Sequence, residues 1–266
     1  MLIIIRGAGD IASGIALRLH RSGFPVIMTD LERPTAIRRT VCFSEALHFG
    51  SIQVEDVEAM KAEGSEEARI LAMSGKIAVL ADPEGSCIKL LKPDAVVDAI
   101  LAKRNLGTTI LDAPVVVGVG PGFTAGLDCH AAVETKRGHY LGRVIYEGST
   151  APDTGIPENI GGYTRERVLR APKSGIFHPL LHIGDEVEKG DIAGMVGETP
   201  MLCTIHGILR GILPEGTPVH EGMKSGDIDP RCEKAHCFLA SDKALSVGGG
   251  VLEAILHFCA FKCFGL

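Results

Sequence analysis

The residues best suited by type and spacing to do chemistry begin at Gly7. Gly7-Ala8-Gly9-Asp10-Ile11-Ala12 matches the pattern G-x-G-x-x-G/A and follows the apolar run at residues 2–6. In that pattern the first glycine permits a tight turn from strand to helix. The second lets a pyrophosphate approach the backbone, and the small third residue lets helix and strand pack closely. Free N–H groups at the helix start then face the anion. Asp30 ends the next apolar run about 20 residues on, where a ribose-binding acid belongs. Asp10 lies inside the loop, where its charge opposes a phosphate and suits a helix cap. Two readings are open: a loop that binds a nucleotide-like ligand, or a tight strand-to-helix turn that holds nothing. Arg38 and Arg39 follow Pro34. They suit either paired contacts to a phosphate or carboxylate or a solvated helix face.

A second glycine-rich segment reads Val117-Gly118-Val119-Gly120-Pro121-Gly122-Phe123-Thr124-Ala125-Gly126. Gly118, Gly120 and Gly122 allow backbone N–H groups to be exposed to an anion, and Thr124 adds a hydroxyl. Asp112, Asp128 and His130 lie close by, and Lys136, Arg137 and His139 supply positive charge and an imidazole. Residues 112–139 are read as the second wall of a ligand pocket, with a structural glycine loop as the alternative. The eight cysteines show no paired spacing of the zinc-binding kind, so Cys232, His236, Cys237, Cys259 and Cys263 are not taken as a metal site. Buried thiols are the expectation for them. Cys42 follows Arg38-Arg39-Thr40-Val41, a setting that suits either a reactive thiolate or core packing. There is no P-loop, no G-x-S-x-G and no H-E-x-x-H.

The elements that must position these residues follow from hydrophobic spacing. Apolar runs predict strands at 2–6, 25–30, 76–81, 95–99, 109–111 and 115–119, and helical spacing predicts helices at 11–21, 54–62 and 66–73. This alternation predicts an α/β fold over residues 1–164, a Rossmann-like doubly wound parallel sheet that binds a nucleotide or cofactor. From 165 to 230 the helical period disappears and a repeat begins. Gly175-Ile176-Phe177-His178-Pro179-Leu180-Leu181 aligns with Gly207-Ile208-Leu209-Arg210-Gly211-Ile212-Leu213, and Gly184, Val187 and Gly190 align with Gly216, Val219 and Gly222. Two copies are too few for a solenoid and can interlock as halves of a small β sandwich. Ala171-Pro172-x-x-Gly175 and Gly184-Asp185-x-Val187-x-x-Gly190-Asp191 resemble the biotinyl/lipoyl family, which implies a small all-β barrel-sandwich hybrid. That family carries its group on a hairpin lysine. The corresponding tip here, Gly197-Glu198-Thr199-Pro200, has none, so a carrier role is not expected. In residues 231–266, Gly248-Gly249-Gly250 is read as opening an apolar helix that returns to the first domain.

Composition bounds the function. The chain has 266 residues, 45% of them hydrophobic and 23% charged, which excludes wholesale disorder. A formal charge of −6 and few aromatics oppose a nucleic-acid or anionic-membrane binder. No apolar run has the length of a membrane span, and the first residues do not read as a signal peptide. A cytoplasmic protein with reduced thiols is expected, and a homo-oligomer is compatible with this composition.

Taken together, several segments resemble YqeB-type accessory proteins of selenium-dependent molybdenum hydroxylase systems. They are Arg6-Gly7-Ala8-Gly9-Asp10, Pro34-Thr35-Ala36-Ile37-Arg38-Arg39, 120–126, Glu134-Thr135-Lys136-Arg137-Gly138-His139 and Gly248-Gly249-Gly250-Val251-Leu252-Glu253-Ala254. That family looks distantly similar to XdhC/CoxI maturation factors. The resemblance implies an accessory or maturation role, with a molybdenum hydroxylase or its maturation proteins as partners. It also implies a molybdopterin-type cofactor or another small anionic ligand. The residues alone equally suit a dinucleotide, and the alternative is an NAD(P)-dependent oxidoreductase with Asp30 on the ribose. His139 or Lys136 would then serve as its acid or base. A scaffold with an empty turn is the third reading.

Overall fold

A computed structural model describes residues 1–264. The chain divides into two compact units. The first comprises Met1–Pro34, Cys42–Asp153 and the segment from Ala240 onward; the second comprises Thr35–Val41 and Thr154–Leu239.

In the first unit, β1 (Ile3–Arg6) is buried at every position, as a strand covered on both faces must be. The chain continues through α1 (Asp10–Arg21), β2 (Val26–Asp30), α2 (Ala46–Phe49), β3 (Ser51–Val54), β4 (Val57–Ala62), α3 (Ser65–Met73), β5 (Ile77–Ala81), α4 (Ser86–Leu91) and β6 (Ala95–Asp98). After β7 (Val115–Val119) come the short strands β8 (Thr124–Ala125), β9 (Ala131–Val133), β10 (Val144–Ile145) and β11 (Gly148–Ser149). The nine-stranded sheet has the order β10-β9-β7-β6-β1-β2-β5-β4-β3. Its pairs from β4 to β9 are parallel, whereas β3 with β4 and β10 with β9 are antiparallel.

This corrects the predicted Rossmann-like, doubly wound parallel sheet: the sheet is mixed. A doubly wound sheet needs a covering crossover between successive parallel strands. Here residues 99–114 link β6 to β7 without a helix. A helix from the other end of the chain, α5 (Asp242–Phe264), packs instead on α1, β7, β9 and β10. The helix expected at 54–62 is the β3–β4 hairpin. Its turn puts Glu55 at φ +54°, and along β4 buried Val57 and Ala59 flank exposed Glu58, a period of two. Residues 109–111 form no strand. Gly248–Gly250 lie inside α5 rather than opening it. A Cβ on Gly248 would stand 2.9 Å from the Gly14 carbonyl oxygen of α1, so this glycine serves close helix packing.

The second unit contains β12 (Val168–Arg170), β13 (Gly175–Pro179), β14 (Glu186–Val187), β15 (Ile192–Val196), β16 (Thr199–Leu202), β17 (Gly207–Ile212), β18 (Thr217–Val219) and β19 (Lys224–Asp229). They form two four-stranded antiparallel sheets, β12-β19-β17-β14 and β16-β15-β13-β18. The repeated strands are β13, β14 and β15 in one copy and β17, β18 and β19 in the other. Each copy lends its middle strand away: β14 pairs with β17, and β18 with β13. Phe177, Val196, Leu209, Ile212 and Ile228 share one core. The barrel-sandwich hybrid expected here is also corrected. The ladders join strands within each sheet and not between them, and β12 and β16, which lie outside the repeat, extend the edges. The β15–β16 tip carries no lysine of its own, but the Lys173 ammonium lies beside Gly197.

Candidate functional site

The order of the strands locates the place where a small molecule can enter. From β1 the chain steps to β2 on one side and later returns to β6 on the other. The carboxyl ends of β1 and β6 therefore bound the switch point, the usual ligand position of an open α/β sheet. Gly7 leaves β1 at φ +98°, and its N–H donates to the Thr29 carbonyl at 2.7 Å. A Cβ there would lie 2.8 Å from the Ala99 carbonyl oxygen, so only glycine fits against the chain leaving β6.

Gly9 is the N-cap of α1, with φ −74° and ψ −170°, and as a glycine it has no side chain to cap the helix. No atom lies within 4 Å of where its Cβ would stand. The loop is fixed from below. Ser13 Oγ donates to the Ala8 carbonyl at 3.1 Å and accepts from Phe43 N–H at 2.8 Å, while Ser44 N–H donates to Ala8 at 3.0 Å. The edge is thus rigid underneath and open at Gly9.

Asp10 is the first residue of α1. Asp30, at the end of β2, accepts N–H bonds from Ala8 and Leu31, both at 2.8 Å. Burial pushes its pKa up, and those two bonds partly oppose the rise. The acid expected on a ribose is therefore engaged with the loop itself.

Sequence reasoning missed a buried cluster at the same edge. Arg6 Nη1 donates to Thr108 Oγ1 at 2.5 Å and to Asp98 Oδ2 at 3.3 Å, and Thr108 Oγ1 donates to Asp98 Oδ2 at 2.5 Å. All three residues are buried, and Arg6 Nε has no hydrogen-bond partner. Asp98 Oδ1 also accepts from Ile100 N–H at 3.2 Å, which ties down the start of the 99–114 loop. The one signal in the sequence was a charge ending an otherwise apolar strand.

The second glycine turn is filled by protein. Gly118 lies against Phe123. Gly120, at φ +79°, donates to Val133 at 2.9 Å, and a Cβ on it would meet Thr135 Oγ1 at 2.9 Å. Gly122, at φ +111°, leaves 2.6 Å between such a Cβ and Arg104 Cα. Thr124 N–H donates to Asp128 at 2.9 Å, and its hydroxyl meets Ser149 Oγ at 2.8 Å. Lys136 and His139 are exposed; the His139 ring meets Tyr140 edge-on, and Arg137 grips Asp242 with two bonds at 2.6 and 2.7 Å.

Arg38 and Arg39 belong to the second unit. Arg38 donates to the carbonyls of His236 at 2.9 Å and Leu239 at 3.4 Å, and Arg39 to that of Ile212 at 3.1 Å. The structure thus gathers Gly7, Gly9, Asp10 and Asp30 at one edge. It places Gly118, Gly120, Gly122 and Thr124 in a separate packed turn. Cys42 is buried. Among the described residues, no group of three or more His, Cys, Asp or Glu is arranged to hold a metal ion. No described helix is long and apolar enough to cross a membrane.

These features define an α/β unit with a mixed sheet and a glycine-capped helix start at its switch point, followed by an all-β unit. No protein-family model matches the chain. The chain is similar to the uncharacterized protein YqeB of Escherichia coli (strain K12), 52% identical over 255 residues. That stretch is 96% of this chain and 47% of the relative, so the chain spans about half the length of the relative it matches. A solved aspartoacylase family protein from Mesorhizobium loti is 12% identical, covering 85% of this chain and 84% of that one, with a TM-score of 0.29. A succinylglutamate desuccinylase/aspartoacylase from Rhodobacter sphaeroides is 14% identical, covering 85% and 86%, with a TM-score of 0.26. At such scores the likenesses carry no argument about this chain's activity.

The functional expectation is nevertheless corrected. Of four such solved structures, three are described as aspartoacylase or succinylglutamate desuccinylase proteins and one as an ectoine utilization protein. The YqeB relative has no described role. The geometry removes the supports as well: Asp30 is bound to backbone, the second turn is filled, and the paired arginines hold carbonyls of the other unit. The selenium–molybdenum maturation role and the NAD(P)-dependent oxidoreductase both fall away.

Proposed function

We propose that the first unit binds one small anion, a carboxylate or phosphate, at the open start of α1. The observation that carries this is Gly9: it opens onto free space and, as the N-cap of α1, brings no side chain of its own, at the switch point between β1 and β6. The free N–H groups and partial positive charge of a helix start favour an anion by about 0.3–2 kcal/mol. Gly7 and Gly9 shape the backbone, and Asp10 and Asp30 limit the charge the site accepts. A single small anion fits that balance; a dinucleotide forms no part of the proposal. Asp30 already holds its proton more tightly than an ordinary aspartate. A nearby anion strengthens that hold, so binding takes up protons and tightens as pH falls.

The test is denaturant stability in increasing inorganic phosphate, then acetate, for the parent and Gly9→Val. At about 100 times Kd a ligand adds about 2.7 kcal/mol of stability. The parent is expected to gain and the folded variant not, because valine fills the open space. No gain in the parent with either anion, or an equal gain in the variant, would show that nothing binds at Gly9.

A further inference from the structure

We infer that Cys232 is an activated thiol that exchanges with small disulfides. Its Sγ lies 3.5 Å from His206 Nε2, and His206 Nδ1 lies 3.0 Å from Glu188 Oε1. A carboxylate on Nδ1 keeps the proton there and leaves Nε2 bare toward the sulfur, the orientation a proton acceptor needs. This is the nucleophile–base–orienter arrangement, and all three residues lie in the second unit.

The backbone points the same way. Cys232 sits at φ +56°, a left-handed conformation that costs free energy for a residue with a Cβ. Such strain persists only where the surroundings impose it, and it concentrates at functional sites. Asp229 anchors the chain just before Cys232. Its carboxylate accepts from the Arg231 backbone N–H at 3.1 Å and from the Arg231 guanidinium at 2.9 and 2.6 Å, and its carbonyl accepts from Cys232 N–H at 3.4 Å. Burial would raise the Asp229 pKa, but the Arg231 bonds and the Arg210 charge override it and hold the group at about 2. The anchor therefore stays ionised at any ordinary pH.

Exposure separates this thiol from the other described cysteines. Cys42, Cys87, Cys129, Cys203 and Cys237 are buried, and Cys259 is partly buried. Burial pushes Cys87 up to about 12 and Cys129 and Cys203 up to about 11, which keeps those thiols protonated and inert. Cys232 is exposed.

Disulfide exchange requires only a thiolate and open access to a sulfur. The Cys232 proton passes to His206 Nε2. The thiolate attacks one sulfur of R–S–S–R, a new S–S bond forms as the old one breaks, and the departing thiolate takes the proton from the imidazolium. The products are Cys232–S–S–R and R–SH. The thiol of Cys237, five residues on, is buried, so an external thiol is the expected means of removing this adduct.

The experiment treats the whole protein with oxidised glutathione at pH 7 and follows each cysteine by peptide mass spectrometry. The same chain unfolded in urea supplies the rate of Cys232 without its neighbours. With a positioned proton acceptor beside it, folded Cys232 is expected to react about tenfold faster than unfolded Cys232. His206→Gln should abolish that advantage. Glu188→Gln should fall between, with Glu188→Asp recovering part of the loss. A folded rate no greater than the unfolded one, or a His206→Gln rate equal to the parent's, would overturn the inference.

Discussion

Two glycine-rich turns leave the same edge of the first sheet, one after β1 and one after β7, yet they do opposite things. After β1 the chain enters a helix. The turn needs glycine at Gly7 to pass the chain beyond β6, and leaves Gly9 facing open space. After β7 the chain enters two more short strands, and Gly118, Gly120 and Gly122 are each filled by a neighbour: Phe123, Thr135 and Arg104. Glycine spacing shows where a backbone can be approached closely. The element that follows decides whether the approaching group is a ligand or another part of the chain.

The largest effect that tests this contrast is Gly122→Ala. The new methyl would stand 2.6 Å from the Arg104 backbone at φ +111°, so both strain and overlap oppose it. A left-handed residue with a Cβ costs about 1–2 kcal/mol. Forcing a packed backbone to shift costs about 1–3 kcal/mol more. A loss of about 3 kcal/mol in denaturant unfolding is expected. A loss under about 1 kcal/mol would mean that the second turn is looser than its contacts indicate, and the contrast with the first turn would fail.

Gly9→Ala is the matching change at the open turn. Its φ of −74° suits alanine and no atom meets the methyl. Reduced freedom of the unfolded chain favours the variant by about 0.4–1 kcal/mol, while alanine is a poorer N-cap than glycine. A net change within about 1 kcal/mol is expected by the same measurement. A loss as large as that of Gly122→Ala would show that the space at Gly9 is not free.

Much of the first unit was legible because its signals are local. The apolar runs at β1, β2, β5 and β7 and the helical spacing of α1 and α3 depend on neighbours a few residues away. The β3–β4 hairpin was hidden because Val54 to Ala62 also satisfies a helical spacing, and the deciding turn at Glu55 uses a residue that does not advertise a left-handed conformation. The mixed sheet was hidden because the covering helix α5 comes from the far end of the chain. The site divides the same way. Gly7, Gly9 and Asp30 could be placed together from spacing alone. The Arg6–Asp98–Thr108 cluster joins residues 92 and 102 positions apart, and the Cys232–His206 contact spans 26, so neither has a local pattern.

The smallest effect concerns Asp30, which is what distinguishes the charge at the open turn. Burial raises its pKa above the ordinary value of 3.8, so between that value and its native one the folded chain binds more protons than the unfolded chain. Stability from this group therefore falls as pH rises through that window and is level above it. Asp30→Asn removes the titration. Its carbonyl can still accept the Ala8 N–H, and the exposed Leu31 N–H can turn to water. Relative to the parent, the variant should gain stability as the pH rises from about 4, the ordinary carboxyl range, toward neutrality, by less than either glycine effect. Unfolding measured from acid to neutral pH checks this. A difference between variant and parent that stays flat across the range would mean that Asp30 is not desolvated, and that the open turn is wetter than its geometry implies.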